Sequence, residues 1–249
     1  QDSGYYMSPE LLGDILGPVM DTGEIAGKRV CEIGSGTGRI VRMLLGAGPA
    51  HVLAVEPSGS FAVLERQLAD DAEAGRVTML NVRGDRLPPD SDLDIVFSIG
   101  VVHHIPEPDA VLRAAHAALK PGGRICLWLY GREGNGLYLA VFGPLRVVTQ
   151  RIPNALLDTI SGGLELCTRA YGAGCRVLPL PLRRYFSGYF NKLSPSQRRL
   201  VIFDQLNPAY AKYYTKAEAI DLLERNGFTD VQTYHRDGYS WTVAGTKAG

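Results

Sequence analysis

Three glycines alternate with small polar residues in Gly34-Ser35-Gly36-Thr37-Gly38, directly behind the apolar run Val30-Cys31-Glu32-Ile33. Glycine lets the backbone approach a ligand closely, and a helix starting behind the turn offers free amides and a positive dipole end. That combination is a nucleotide cradle. A dinucleotide loop of the form G-x-G-x-x-G would place a glycine at position 39, where Arg39 stands. Glu56 follows Gly34 by 22 residues at the end of a second apolar run. From there a carboxylate can accept both hydroxyls of a ribose, the alternative being a solvated loop acid. His103 and His104, side by side after a later apolar run, titrate near neutral pH and could move a proton. His51, His116 and His235 fall on strand or helix surface positions and receive no role. No His, Cys and Asp cluster has metal-ligand spacing, so no metal is expected.

The elements that would hold these residues alternate regularly. Apolar runs over 28–33, 51–56, 77–82, 93–99 and 124–130 read as strands, and helical spacing follows Gly38 and recurs over 61–68 and 110–119. The last of these helices is stopped by Lys120-Pro121-Gly122-Gly123. Strands without period-two alternation, joined by helices, predict a parallel sheet covered on both faces. Ser8-Pro9-Glu10 opens a further helix whose inward face is Leu11, Leu12, Ile15 and Leu16. Near the end, Thr215-Lys216-Ala217-Glu218 is a capping box, and 228–234 with 239–246 read as an antiparallel hairpin around Arg236-Asp237-Gly238. The expected division is 1–130 for the N-terminal helix and cofactor-binding half, 131–213 for a helical insertion, and 214–249 for the closing helix and hairpin.

The chain has 249 residues, is 45% hydrophobic and carries no net charge. Nucleic acid is therefore not expected as the main partner, because phosphate-backbone binding usually leaves a basic excess. The zero hides a division: 131–213 holds 11 Lys and Arg against 4 Asp and Glu, leaving 15 against 22 elsewhere. That insertion also holds six of the twelve tyrosines and apolar helical stretches such as Leu137, Ala140, Val141, Leu145 and Val148, then Leu156, Leu157, Ile160, Leu164 and Leu166. It reads as a lid over an amphiphilic, anionic acceptor, with Arg183, Arg184, Arg198 or Arg199 meeting phosphate or carboxylate. The competing reading is solvated charge on helices whose apolar sides pack on the sheet or in a homodimer. Tyr6, Tyr130, Tyr185, Tyr210 and Tyr214 share that ambiguity between packing and pocket lining. Cys31, Cys126, Cys167 and Cys175 form no CxxC pair, which fits a reducing, cytoplasmic setting. No run of about 18 apolar residues offers a transmembrane segment, and Gln1 in place of an initiator Met reads as a trimmed terminus.

The motifs together resemble the class I S-adenosylmethionine-dependent methyltransferases, specifically the small-molecule group that includes the ubiquinone and menaquinone biosynthesis enzymes. The resemblance runs over about 28–130 and resumes over 214–249. It rests on Glu32 to Gly38, Val55-Glu56-Pro57-Ser58, Gly84-Asp85, Val101-Val102-His103-His104-Ile105-Pro106-Glu107-Pro108 and Leu119-Lys120-Pro121-Gly122-Gly123. It implies an α/β, Rossmann-like fold with a seven-stranded, mostly parallel sheet, one antiparallel strand and a largely helical insertion or lid. S-adenosyl-L-methionine would lie across the carboxyl ends of the first half. Gly34, Ser35, Gly36 and Gly38 would face its methionine part and ribose, and Glu56, followed by Pro57, would hold the ribose hydroxyls. Asp85 would bond the adenine amino group with Arg86 and Leu87 flanking the ring, a plain turn role being the alternative. Ser98, Ile99 and Gly100 would line the floor beneath the sulfonium. Glu32 would meet the ammonium through water or position the helix. His103 would act as base, with His104 as its hydrogen-bonded orienter.

The implied reaction is an in-line methyl displacement, in which alignment is worth up to about 7 to 11 kcal/mol and a base is needed only if the acceptor loses a proton. A small-molecule acceptor is expected, methylated at oxygen, with nitrogen or carbon as alternatives; a secondary metabolite, sugar or isoprenoid would fit. The rivals are a cofactor-binding relative with another reaction or a structural role, a nucleic-acid methyltransferase and an NAD-dependent oxidoreductase, the last disfavoured by Arg39.

Overall fold

The computed structural model describes residues 8–89, 91–149, 151–206 and 210–249. In chain order the helices and strands are α1 (Pro9–Leu16), β1 (Arg29–Ile33), α2 (Arg39–Gly46), β2 (His51–Val55), α3 (Phe61–Gln67), α4 (Ala69–Glu73), β3 (Val77–Leu80), β4 (Leu93–Ile99), α5 (Asp109–Ala118) and β5 (Leu119–Tyr130). They continue as α6 (Gly136–Thr149), α7 (Asn154–Val177), α8 (Arg183–Gly188), α9 (Pro195–Leu206), α10 (Lys216–Glu224), β6 (Phe228–Arg236) and β7 (Ser240–Lys247).

The chain divides into a sheet unit over Met7–Gly134 and Lys212–Gly249 and a helical unit whose described part lies within Asn135–Ala211. In the sheet unit the strand order is β3-β2-β1-β4-β5-β7-β6. β1 pairs in parallel with β2 and β4, and β7 runs antiparallel between β5 and β6. This is the expected seven-stranded α/β sheet with one reversed strand. Its core gathers Cys31, Ile33, Val55, Val96, Leu127 and Val243 from the strands with Val111, Leu112, Leu222 and Leu223 from α5 and α10. Non-alternating apolar strands are required because the sheet is covered on both faces.

The local signals act as their chemistry dictates. Ser8 caps α1 by accepting from the Leu11 amide, Pro9 takes the first helical position, and the four predicted apolar residues are buried. At α10, Thr215 and Glu218 exchange the two bonds of a capping box. Two expectations shift. β5 begins at Leu119 rather than Arg124, and its ladder with β4 jumps from Leu93↔Leu119 to Ile95↔Arg124. The Lys120-Pro121-Gly122-Gly123 segment bulges within that jump, with Gly122 at φ 75°. The short α4 has no apolar period to announce it, and none of its residues is buried.

In the helical unit, Cys175, Phe186, Phe190 and Leu193 form a separate small core, with Tyr171, Tyr185 and Tyr189 partly buried against it. Buried Arg146 donates to the Gln205 carbonyl and to the Tyr138 hydroxyl. Of the predicted apolar helix faces, Leu157 is buried, whereas Leu145, Val148, Leu156, Ile160, Leu164 and Leu166 are exposed.

Candidate active site

The glycine loop leaves β1 at the point where the strand order reverses, with β2 on one side and β4 on the other. At such a switch point the connections diverge and open a crevice at the carboxyl ends of the strands. Gly34 and Ser35 donate their amides to the Val55 carbonyl, fixing the loop to β2. A Cβ on Gly34 (φ 82°) would lie 2.4 Å from the Val101 side chain, so this glycine answers to packing. Gly36 (φ 54°) differs, because a Cβ there would meet nothing within 4 Å. The backbone is thus bare over an open space, as a closely approaching ligand needs.

Glu56 borders that space, and a second carboxylate, Glu32, is buried near the end of β1. Glu56 is buried, with Oε2 accepting from the Gly36 amide and Oε1 from the Ser58 amide, both at 2.8 Å. It therefore braces the loop as well as bordering the crevice, and the solvated-acid alternative does not describe it. Glu32 is fully buried; its Oε1 accepts from the Ile99 amide at 3.3 Å, and its Oε2 has no partner among the described residues. Burial pushes its carboxyl up to about 8, against the opposing Ile99 bond and the Arg39 charge. A buried acceptor without a partner costs free energy that a cationic ligand group would recover, so the donor set fits the ammonium and ribose of S-adenosylmethionine.

The other predicted cofactor residues are placed unequally. Ser35 and Ser98 are buried and spend their hydroxyls on the Glu32 and Ile33 carbonyls, so they shape the strand ends rather than offer donors. Asp85 is held by the Arg83 guanidinium through both oxygens, at 3.1 and 3.0 Å. Pro57 and Arg86 are exposed. Leu87 corrects an expectation: it packs in the main core, at 4% exposure, and does not flank an open slot. Gly100 (φ 82°) donates to the Trp128 carbonyl and turns the chain at the end of β4.

Beyond Gly100 lies an aromatic cluster. His103 is fully buried and stacks on Tyr130 at 3.7 Å, with Trp128 edge-on at 5.9 Å; Tyr130 in turn stacks on Tyr213 at 5.2 Å. Neither ring nitrogen of His103 has a hydrogen-bond partner among the described residues. Burial first, then the neighbouring His104, holds its pKa well below the usual histidine value. His104 is half-buried at 4.3 Å between ring centroids, and the expected orienting hydrogen bond between the two is not made.

Tyr214, expected in a pocket, belongs to the core at 1% exposure, because its backbone amide and carbonyl join Tyr130 and Arg132 and draw the ring inward. Lys212 Nζ sits 4.5 Å over its ring. Tyr213, which shares the sequence-level ambiguity of Tyr214 between core and pocket lining, stacks on Tyr130 instead of entering the core cluster. In the helical unit, Tyr185 packs against the small core, while Tyr210 and Arg183 are exposed. Arg198 and Arg199, expected to meet an anionic substrate, pair instead with Glu165 and Asp158. Tyr6 lies outside the described residues, as does the side chain of Arg184. Among the described residues no group of His, Cys, Asp and Glu could hold a metal ion.

The sheet order is that of the Rossmann-like fold found in S-adenosylmethionine-dependent methyltransferases of solved structure. A methyltransferase-domain family model matches residues 31–125, all within the sheet unit. It is 35% identical over 115 residues to a tRNA U34 carboxymethyltransferase of Chromohalobacter salexigens, covering 45% of this chain and 34% of that one. It is 30% identical over 120 residues to a ubiquinone/menaquinone biosynthesis C-methyltransferase of Ectopseudomonas mendocina, covering 47% of each. The chain thus spans about a third to a half of the length of these relatives. Among solved structures, human N-acetylserotonin methyltransferase in complex with S-adenosylmethionine shares the fold at a TM-score of 0.56, with 13% identity over 95% of this chain and 51% of that one.

Proposed function

We propose that this chain transfers a methyl group from S-adenosylmethionine to a small-molecule acceptor, at oxygen or alternatively at nitrogen or carbon. The observation that carries the reading is the open space over Gly36 at the sheet's switch point, bordered by Glu56, whose carboxylate accepts from the Gly36 amide. The cofactor supplies a methyl group already activated on a sulfonium. Glu56 holds the ribose hydroxyls while bracing the loop, Glu32 faces the ammonium, and Asp85 exchanges part of its Arg83 pairing for the adenine amino group. His103 is the base: burial holds it neutral, against the opposing pull of the Trp128 backbone. Tyr130 covers it, so an acceptor reaches His103 only when that stack opens. Burial of Cys31, Cys126 and Cys175 as free thiols supports a reducing, cytoplasmic setting.

Calorimetric titration with S-adenosylmethionine tests the cofactor half of this reading. Micromolar binding is expected, weakened by about a hundredfold in Glu56→Ala, since hydrogen bonds to a charged group contribute roughly 1.5 to 3 kcal/mol each. Absence of binding would reject the reading. A polynucleotide acceptor is a second reading, favoured by the likeness to enzymes named for tRNA U34. Measuring S-adenosylhomocysteine release with phenolic, amphiphilic and tRNA acceptors separates the two, and only the tRNA case predicts binding that falls steeply with salt.

A further inference from the structure

Between α7 and α8 the chain reads Arg176-Val177-Leu178-Pro179-Leu180-Pro181-Leu182-Arg183. Leu180 turns inward against the small core of the helical unit. Its neighbours turn out: Val177, Leu178 and Leu182 are 79%, 53% and 56% exposed. Among the described residues, large apolar side chains left this exposed occur only between Leu145 and Tyr210. Leu182 also adopts a left-handed backbone (φ 58°), a conformation that disfavours a branched side chain, yet gains little packing within the chain.

The backbone of this turn is prepared for an apolar medium. Pro179 and Pro181 have no N–H, and the amides of Leu178, Leu180 and Arg183 donate to the carbonyls of Gly174, Leu178 and Leu180. The Tyr171 hydroxyl, which donates to the Pro181 carbonyl, ties the turn to α7. These bonds leave the Leu182 amide as the one N–H of residues 178–183 without a backbone partner among the described residues, and a backbone so largely satisfied suits hydrocarbon. Charge supplies the complement. The helical unit carries 9 Lys and Arg against 3 Asp and Glu. Arg198 and Arg199 are neutralised by carboxylates, whereas Arg169, Arg176 and Arg183 are exposed and in no ion pair among the described residues.

We propose that this turn is a membrane-docking tip: Val177, Leu178 and Leu182 enter the outer apolar layer of an anionic bilayer, while Arg176 and Arg183 meet lipid phosphates. A shallow apolar insertion combined with basic flanks is how peripheral proteins hold an anionic surface. A second copy is the poorer occupant, because two such units would bring like charge together. The inference goes beyond methyl transfer and stands or falls without it.

Co-sedimentation of the whole chain with vesicles of phosphatidylcholine alone, and of phosphatidylcholine mixed with phosphatidylglycerol, tests it. The chain should pellet with the mixed vesicles and be released by salt. Val177→Ser combined with Leu178→Ser and Leu182→Ser should weaken pelleting more than about tenfold, and Arg176→Ala and Arg183→Ala by about fivefold each. All five side chains are exposed, and unchanged thermal unfolding of each variant verifies that the fold is kept. Equal pelleting with both vesicle types, or full binding by the serine or the arginine variants, would overturn the proposal. So would a wild-type dimer that ignores vesicles and is split by the serine substitutions, which would assign the turn to a second copy.

Discussion

Glu32 concentrates the chemistry of the cradle in one side chain. Its carboxyl keeps a proton up to about 8 in the folded chain, against an ordinary value of 4.5. The folded state therefore binds more protons than the unfolded one between those limits, and stability falls as pH rises through them, by a few kcal/mol in order of magnitude. Glu32→Gln should remove that slope, which denaturant unfolding at about pH 5 and about pH 8 will measure. The cofactor's ammonium favours the ionised form, so binding near neutral pH should release up to about one proton, seen as a heat that varies with buffer ionisation. His103 works in the opposite sense: with its folded pKa depressed, it withdraws stability as pH falls below the ordinary histidine value of 6.5. His103→Phe should keep the stack on Tyr130, abolish that acid-side loss, and lower turnover by roughly 10²- to 10⁴-fold with cofactor binding intact. Unchanged turnover and pH profile in this variant would remove His103 from the mechanism.

The strand-loop-helix element from β1 to α2 shows how neighbouring glycines serve different ends. Gly34 yields to the Val101 side chain, whereas Gly36 yields to open space. Both have positive φ, so alanine strains either position by about 1 to 2 kcal/mol, but only at 34 does it also collide with a side chain, that of Val101. Gly34→Ala should lower the thermal midpoint clearly more than Gly36→Ala, while both lose cofactor affinity. Equal midpoints would mean that Val101 adjusts freely. The glycine pattern was legible in sequence; the division of labour was not, because Val101 sits 67 residues further along.

Across the whole molecule, a sheet unit and a helical unit have separate cores and opposite charge. The cradle lies entirely in the sheet unit. If each unit unfolds cooperatively, calorimetry should resolve two transitions, and S-adenosylmethionine at about a hundred times its Kd should stabilise the sheet transition by about 2.7 kcal/mol. The second transition should not move. A single transition that shifts as a whole would instead mean that the units unfold together.

Apart from α4 and the early start of β5, the sequence by itself determined the strands and helices of the sheet unit with their caps, the glycine turn and the position of Glu56, because these depend on periodicity and on contacts within a few residues. The same held for the hairpin that reverses β7. Only the tertiary structure decided what each polar or aromatic side chain does at those places. Leu87 and Tyr214 became core, and Arg198 and Arg199 met Glu165 and Asp158 from another helix. His103 was buried beneath Tyr130, and the second oxygen of Glu32 was left without a partner. These outcomes depend on partners brought together across 27 to 84 residues of chain, and a local pattern fixes which residues are present but not which of them finds a partner.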